Sequence, residues 1–145
     1  MYGTGPVVVG YDLLSPLGID LKEQWQKALQ GKSGIGKLSR FAVNPDFPVQ
    51  IAGQLPEIDH LNYPFLAPRH QAMWSSPVFK YGLLAVERAL QRSGIEIDQT
   101  LAPRVAVTFS SAVGGLDSVL HADRQLLQAG KLPHPYANPN SCINM

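Results

Sequence analysis

Two short runs of apolar residues, separated by amphipathic helices, constrain the fold more than any other feature of this sequence. Residues 6–10 (PVVVG) and 104–109 (RVAVTF) are largely continuous in apolar character and do not alternate with polar residues. Such runs are typical of strands covered on both faces, which occur mostly in parallel sheets. Parallel strands need crossover helices, so the sequence predicts an α/β fold of layered type with a mostly parallel sheet.

The first predicted helix begins at Asp20 and ends at Gly31. Asp20 and Glu23 have the spacing of a capping box, in which each side chain hydrogen-bonds the other residue's backbone. Its apolar residues recur at helical spacing: Leu21, Trp25, Ala28 and Leu29. Glycine is the preferred residue just after a helix, so Gly31 is expected to stop it.

Two further helices are predicted, at residues 76–93 and at about 116–129. Ser76 and Pro77 form a typical helix start, and glycines at 94 and 130 are natural stops. Apolar residues nearly encircle the first of these helices, so we expect it to be covered on most sides. The second is expected to face inward through Val119, Leu120, Leu126 and Leu127. Residues 37–68, rich in Pro, Asn and Asp, are predicted to be irregular apart from one strand at 49–52.

Composition excludes several classes of function. A net charge of +1 gives no field that would attract nucleic acid or an anionic membrane. The apolar runs are too short to cross a bilayer and no secretory signal is visible, so we expect a cytoplasmic protein. The single cysteine and the four scattered histidines do not form a metal-ligand pattern, and we expect no metal or cofactor.

The triplet Gly31-Lys32-Ser33 resembles the end of a phosphate-binding P-loop. A P-loop also needs a glycine at position 26, which is Gln26 here, and a strand before the loop. Gly31 instead follows a predicted helix, whose C-terminal dipole repels anions. The triplet therefore predicts a helix stop followed by a turn, and nucleotide binding is rejected.

The loop at residues 110–115 (SSAVGG) follows the second apolar run, at the kind of position where α/β proteins place ligand sites. Its glycine pair is compatible with a tight structural turn or with the close approach of a ligand. A nucleophile elbow is excluded because Phe109 occupies the position of its first glycine. His121 is more typical of a surface or core histidine than of a catalytic base, and the lone Cys142 has no identifiable partner.

Several short motifs follow one another in a fixed order along the chain. They are LSPLG at 14–18, GKSGI at 31–35, RF at 40–41, KYG at 80–82, SGI at 93–95, the loop at 110–115 and INM at 143–145. Together they resemble the N-terminal part of the β-ketoacyl-acyl carrier protein synthases, a family of the thiolase-like superfamily. The resemblance covers the whole chain and implies that residues 1–145 are an incomplete N-terminal half of a thiolase-like fold.

The resemblance also implies a reaction, the decarboxylative condensation of acyl and malonyl groups in fatty acid or polyketide synthesis. The family's nucleophilic cysteine, its two histidines and its lysine lie in segments that would follow residue 145. Cys142 aligns with a non-catalytic position. We therefore expect no catalytic residue within this sequence and no condensing activity from the chain alone.

Members of this family form dimers with acyl tunnels along the interface. The resemblance places Val113, Gly114, Gly115, Tyr136 and Ala137 at the tunnel wall and the interface. The family usually has glycines at two positions of this loop that are Ser110 and Ala112 here, which makes the loop stiffer. The implied partners are a ketosynthase subunit, in a homo- or heterodimer, and acyl carrier protein, with no nucleic acid and no membrane.

Three hypotheses follow from the resemblance. The chain is the N-terminal part of a synthase and supplies the tunnel wall, or it is a short, non-catalytic subunit like a chain-length factor. The third is a binding module for acyl chains or carrier protein, which ranks last because no closed pocket is predicted within these residues.

Overall fold

The computed structural model describes residues 5–58 and 76–133, together with the single positions 68 and 135. The α/β class is confirmed. Within these residues the elements are α1 (Leu21–Leu29), β1 (Ile35–Lys37), β2 (Ile51–Gly53), α2 (Pro77–Ser93), a short 3₁₀ helix (Ala102–Arg104) and α3 (Leu116–Ala129). The three helices lie within one or two residues of their predicted bounds, because each carries its own start and stop signals.

The start of α1 is capped as predicted. The Asp20 carboxylate accepts a hydrogen bond from the backbone N–H of Glu23 at 2.8 Å. The Glu23 carboxylate lies 2.7 Å from the ammonium of Lys27, one turn along the helix. Only the Asp20 half of the capping box is therefore observed, and Glu23 pairs within the helix instead.

The Gly-Lys-Ser triplet ends α1, as predicted. Gly31 has a φ of 68°, in the left-handed region that favours glycine. Its N–H donates to the Ala28 carbonyl at 2.9 Å, and the Lys32 N–H donates to the Lys27 carbonyl at 3.0 Å. These two bonds are the Schellman motif, which satisfies the last carbonyls of a helix.

The turn at residues 15–18 is fixed against α1 by a buried amide. Gln24 is 3% exposed, and its side chain donates to the Leu13 carbonyl at 2.8 Å and accepts from the Ser15 hydroxyl at 2.6 Å. Because both polar ends of the amide are satisfied, burial of Gln24 carries no penalty for unpaired groups.

Strands β1 and β2 form an antiparallel pair, with Ile35 opposite Gly53 and Lys37 opposite Ile51. The strand predicted at 49–52 corresponds to β2, whereas β1 was not predicted. Pro16 packs against the start of this pair, since a Cβ added to Gly53 would lie 2.9 Å from the proline Cγ. Glycine is therefore required where the hairpin meets the turn at 15–18.

The two buried strands expected at 6–10 and 104–109 are not formed, and this part of the prediction is wrong. Val7, Val8 and Val107 are 78%, 83% and 80% exposed. Neither segment belongs to a strand, and the only sheet of the described residues is the β1–β2 pair. A strand exists only where a neighbour accepts its backbone hydrogen bonds, and within residues 5–58 and 76–133 no strand lies beside these segments.

Both segments nevertheless lie along one stripe of α2. A Cβ added to Gly10 would be 2.4 Å from the Ala89 carbonyl oxygen, and one added to Gly82 would be 2.4 Å from the Phe109 ring. Positions 82 and 89 are seven residues apart and so share one face of the helix. Leu14 packs against the Ile58–Leu84 cluster, so residues 10 and 14 both lie close to the layer that contains α2.

The core is small. Ile58 and Leu84 are 3% and 7% exposed, and Leu14, Ile19 and Tyr81 pack against them. The expected coverage of α2 is incomplete, since Val86 is 45% exposed. The four residues of α3 expected to face inward are 44% to 75% exposed, because no second layer covers that stripe in the described part of the chain: Val119, Leu120, Leu126 and Leu127.

Candidate functional site

The loop at residues 110–115 joins the second extended segment to α3. Gly114 has a φ of 67°, so the loop turns through a conformation that favours glycine. The Gly114 N–H donates to the Ser111 hydroxyl at 3.2 Å. Gly115 is buried and precedes the first turn of α3. The structure therefore confirms a tight turn at this position.

Val113 lies at the exposed part of this loop. Its side chain is 65% exposed, whereas the neighbouring Gly115 is buried. An apolar side chain on a tight loop presents its surface at low entropic cost, because the backbone beneath it is already ordered. Tyr136 and Ala137, expected beside Val113, lie outside the described residues.

Both ends of the loop are anchored on α2. On one side, the Phe109 ring lies against Gly82. On the other, the Ser76 hydroxyl donates to the Asp117 carboxylate at 2.6 Å, and Ser76 is 1% exposed. This bond could not be predicted from the sequence, because Ser76 and Asp117 are 41 positions apart and no local pattern links them.

Two of the short motifs meet in space. Arg40, of the RF pair, donates from its guanidinium to the Leu55 carbonyl and to the Tyr81 hydroxyl. Tyr81, of the KYG motif, donates to the Pro56 carbonyl at 2.7 Å. These bonds tie the segment after β2 to α2 and satisfy the hydroxyl of the half-buried Tyr81, whereas Arg40 itself is exposed.

A buried carboxylate joins the N-terminal segment to the end of α2. The side chain of Asp12 has no exposed surface, and its oxygens lie 3.5 Å from Arg92 and 4.0 Å from Arg88. No hydrogen bond reaches either carboxylate oxygen among the described residues. The charge of Asp12 is therefore balanced by ion pairing alone, an arrangement that the sequence did not indicate.

Of the remaining candidate side chains, the structure describes only His121. His121 is exposed and its ring hydrogen-bonds the Gln125 side chain, 2.9 Å away and one turn further along α3, which fits a surface histidine. Cys142 lies outside the described residues. In the part of the chain that the structure describes, no three His, Cys, Asp or Glu side chains group together as a metal site would require. None of the described helices is long and apolar enough to cross a membrane.

Comparison with known proteins connects this loop and its anchors to a family. The sequence model of the β-ketoacyl synthase N-terminal domain matches residues 6–143, which include both anchors and the loop. The chain is 33% identical over 141 residues to 3-oxoacyl-[acyl-carrier-protein] synthase 2 of Coxiella burnetii. It is 31% identical over 140 residues to the protein of the same name from Vibrio harveyi.

These alignments cover most of this chain and a minor part of each relative. They include 96% of the chain and 33% of the Coxiella and Vibrio proteins. A Staphylococcus aureus protein of the same name is 30% identical over 86% of the chain and 30% of its own length. The chain thus spans about a third of the length of these curated relatives. From its match over residues 6–143, the chain belongs to the β-ketoacyl synthase family of the thiolase-like superfamily.

Proposed function

We propose that this chain forms the N-terminal part of a condensing enzyme of the 3-oxoacyl-acyl carrier protein synthase type. The observation that carries the proposal is the family match over residues 6–143, together with relatives named for this activity. The reaction is the decarboxylative condensation of an acyl group with malonyl-acyl carrier protein in fatty acid synthesis. Its products and the malonyl donor are bound to carrier protein, which makes carrier protein a proposed partner.

The role proposed for this chain is to supply part of the acyl-tunnel wall at a dimer interface. Val113 supports this role, because an exposed apolar side chain on an anchored loop can contact an alkyl chain without first being ordered. Gly114 and Gly115 give the tight turn on which Val113 stands. We propose Tyr136 and Ala137 for the same wall on the basis of the family resemblance alone.

The chemical step needs groups that these residues do not provide. A thiolate must attack the acyl thioester, and the enolate formed when malonyl loses CO₂ needs hydrogen-bond donors in a dry pocket. His121 is exposed on α3 and bonds to a glutamine. We propose that the cysteine, histidines and lysine of the reaction are contributed by residues outside this sequence, in a longer form of the chain or in a partner subunit.

The experiment is a condensation assay with acyl- and malonyl-acyl carrier protein and detection of the 3-oxoacyl product by mass spectrometry. The chain alone is expected to give no product. Co-expressed with a ketosynthase subunit, or extended by the family's remaining segments, it is expected to give product that depends on malonyl-carrier. Product from the chain alone would contradict the assignment of catalysis to other residues.

A second candidate is a non-catalytic subunit comparable to a chain-length factor. It is favoured by the exposed Val7, Val8 and Val107, which leave the outer side of both extended segments open to another polypeptide. Mass measurement of the co-expressed complex separates the two. A heterodimer in which the chain keeps its length of 145 residues supports the subunit, and a monomer contradicts it.

A further inference from the structure

The hydroxyl of Ser76 does not serve its own helix. A serine at the start of a helix normally accepts a hydrogen bond from a first-turn N–H through its side chain. Ser76 has the extended backbone of such a cap, but its side chain makes no capping bond to α2. Its hydroxyl donates instead to Asp117 at 2.6 Å. The hydroxyl therefore bonds a residue of α3 instead of capping α2.

The bond between Ser76 and Asp117 has the properties of a strong contact. The acceptor is a carboxylate, and O–H···O⁻ bonds are the shortest and strongest of protein hydrogen bonds. The donor, Ser76, is 1% exposed, whereas the acceptor, Asp117, lies on an exposed position of α3. Asp117 lies in the first turn of α3, where the helix dipole favours its negative charge.

The loop at 110–115 spans the distance between this bond and the Gly82–Phe109 contact. Gly82 and Ser76 lie within the first two turns of α2 or just before it. The residues on either side of the loop, Phe109 and Asp117, therefore both contact the N-terminal part of α2. The position of the loop relative to α2 follows from the two anchors.

We infer that Ser76 and Asp117 are positioning residues for the loop at 110–115 and that they set the place of Val113. This inference rests on the proposed function, because it holds that the position of Val113 determines which acyl-chain lengths the assembled enzyme accepts. Loss of the bond releases one end of the loop while Phe109 holds the other. Val113 then no longer has a single position at the tunnel wall.

Amide hydrogen exchange of the full chain tests the positioning. The amides to follow are Gly114, which donates to Ser111, and Ser118 and Val119, which donate to the Gly115 carbonyl. In Ser76→Ala their exchange is expected to accelerate about ten-fold or more, the effect of losing a hydrogen bond to a charged group. Ser76→Thr keeps the hydroxyl and is expected to restore protection to within about two-fold. Ser118→Ala, in the same turn as Asp117 but outside this bond, is the matched control. Unchanged exchange in both Ser76→Ala and Asp117→Ala would overturn the inference.

Acyl-length selectivity in the co-expressed condensing complex tests the consequence. Ser76→Ala is expected to change the ratio of kcat/KM for long and short acyl groups at least three-fold, whereas Ser118→Ala leaves it unchanged. Faster loop exchange with an unchanged ratio would overturn the assignment of acyl length to this bond. If the wild-type complex makes no product, the proposed function and the acyl-length assignment both fail, and hydrogen exchange still decides the positioning by itself. If Ser76→Ala does not fold, Asp117→Asn, which keeps an acceptor oxygen, is compared with Asp117→Ala.

Discussion

Single residues carry the tightest constraints of this chain, and Gly31 is a clear case. Its φ of 68° is the reason for glycine, because the space around a Cβ at this position is open. Replacement by alanine is expected to lower the free energy of unfolding by about 1 kcal/mol through backbone strain alone. Gly36→Ala, also in open space but without a positive φ, is the control for urea denaturation. Equal effects of the two substitutions would contradict the conformational explanation.

Asp12 carries a buried side chain that lies close to two arginines from another element, Arg88 and Arg92. Replacing it with alanine leaves Arg88 and Arg92 without their buried counter-charge. The loss is expected to be about 1–2 kcal/mol, below that of a fully buried pair because both arginines keep contact with water. Thermal unfolding of Asp12→Ala measures it, with the exposed Asp46→Ala as the control. A stability equal to that of the control variant would show that the ion pairs contribute nothing.

At the scale of elements, a substitution at Gly82 in α2 distinguishes the effect of helix propensity from the effect of packing against Phe109. Helix propensity alone predicts that Gly82→Ala stabilises the chain by about 1 kcal/mol. The Phe109 ring occupies the site of the new methyl group, so we expect a net loss of about 1–3 kcal/mol instead. Phe109→Leu should relieve this loss in the double variant. Stabilisation by Gly82→Ala would mean that Phe109 does not pack against α2.

The same distinction explains which elements could be predicted from the sequence. α1, α2 and α3 were located because Asp20, Ser76 and the glycines at their ends act within a few positions of each helix. β1 was missed, since its three residues gain a strand identity only from pairing with β2. The runs at 6–10 and 104–109 were predicted as buried strands and are not strands here, because no strand pairs with them among the described residues.

The candidate site was likewise only partly predictable from the sequence. The loop at 110–115 and its tight turn were predictable from two adjacent glycines, and Val113 was placed there by resemblance. Its anchors were not predictable, because Ser76 and Asp117 are ordinary helix-start residues when considered separately. Only the approach of two helix N-termini makes them a pair.

At the scale of the whole molecule, the small core and the exposed apolar segments of the described residues support the proposal that this chain works with further polypeptide. Ile58 and Leu84 are the buried hydrophobic residues of the described chain, whereas Val7, Val8 and Val107 are at least 78% exposed. Isolated chain is therefore expected to associate, and its state in analytical ultracentrifugation should depend on concentration. Val107→Lys, on an exposed position, is expected to weaken association without unfolding the helices. A concentration-independent monomer would argue against this expectation.

The central claim is that this chain forms part of the acyl-tunnel wall of a β-ketoacyl synthase-type enzyme. The most direct test is the length distribution of 3-oxoacyl products made by the co-expressed condensing complex with wild-type chain and with Val113→Trp. A larger side chain at the wall is expected to reduce the longest products at least ten-fold while short products persist, because it blocks the tunnel without touching the reacting groups. An unchanged distribution in an active complex would contradict the claim.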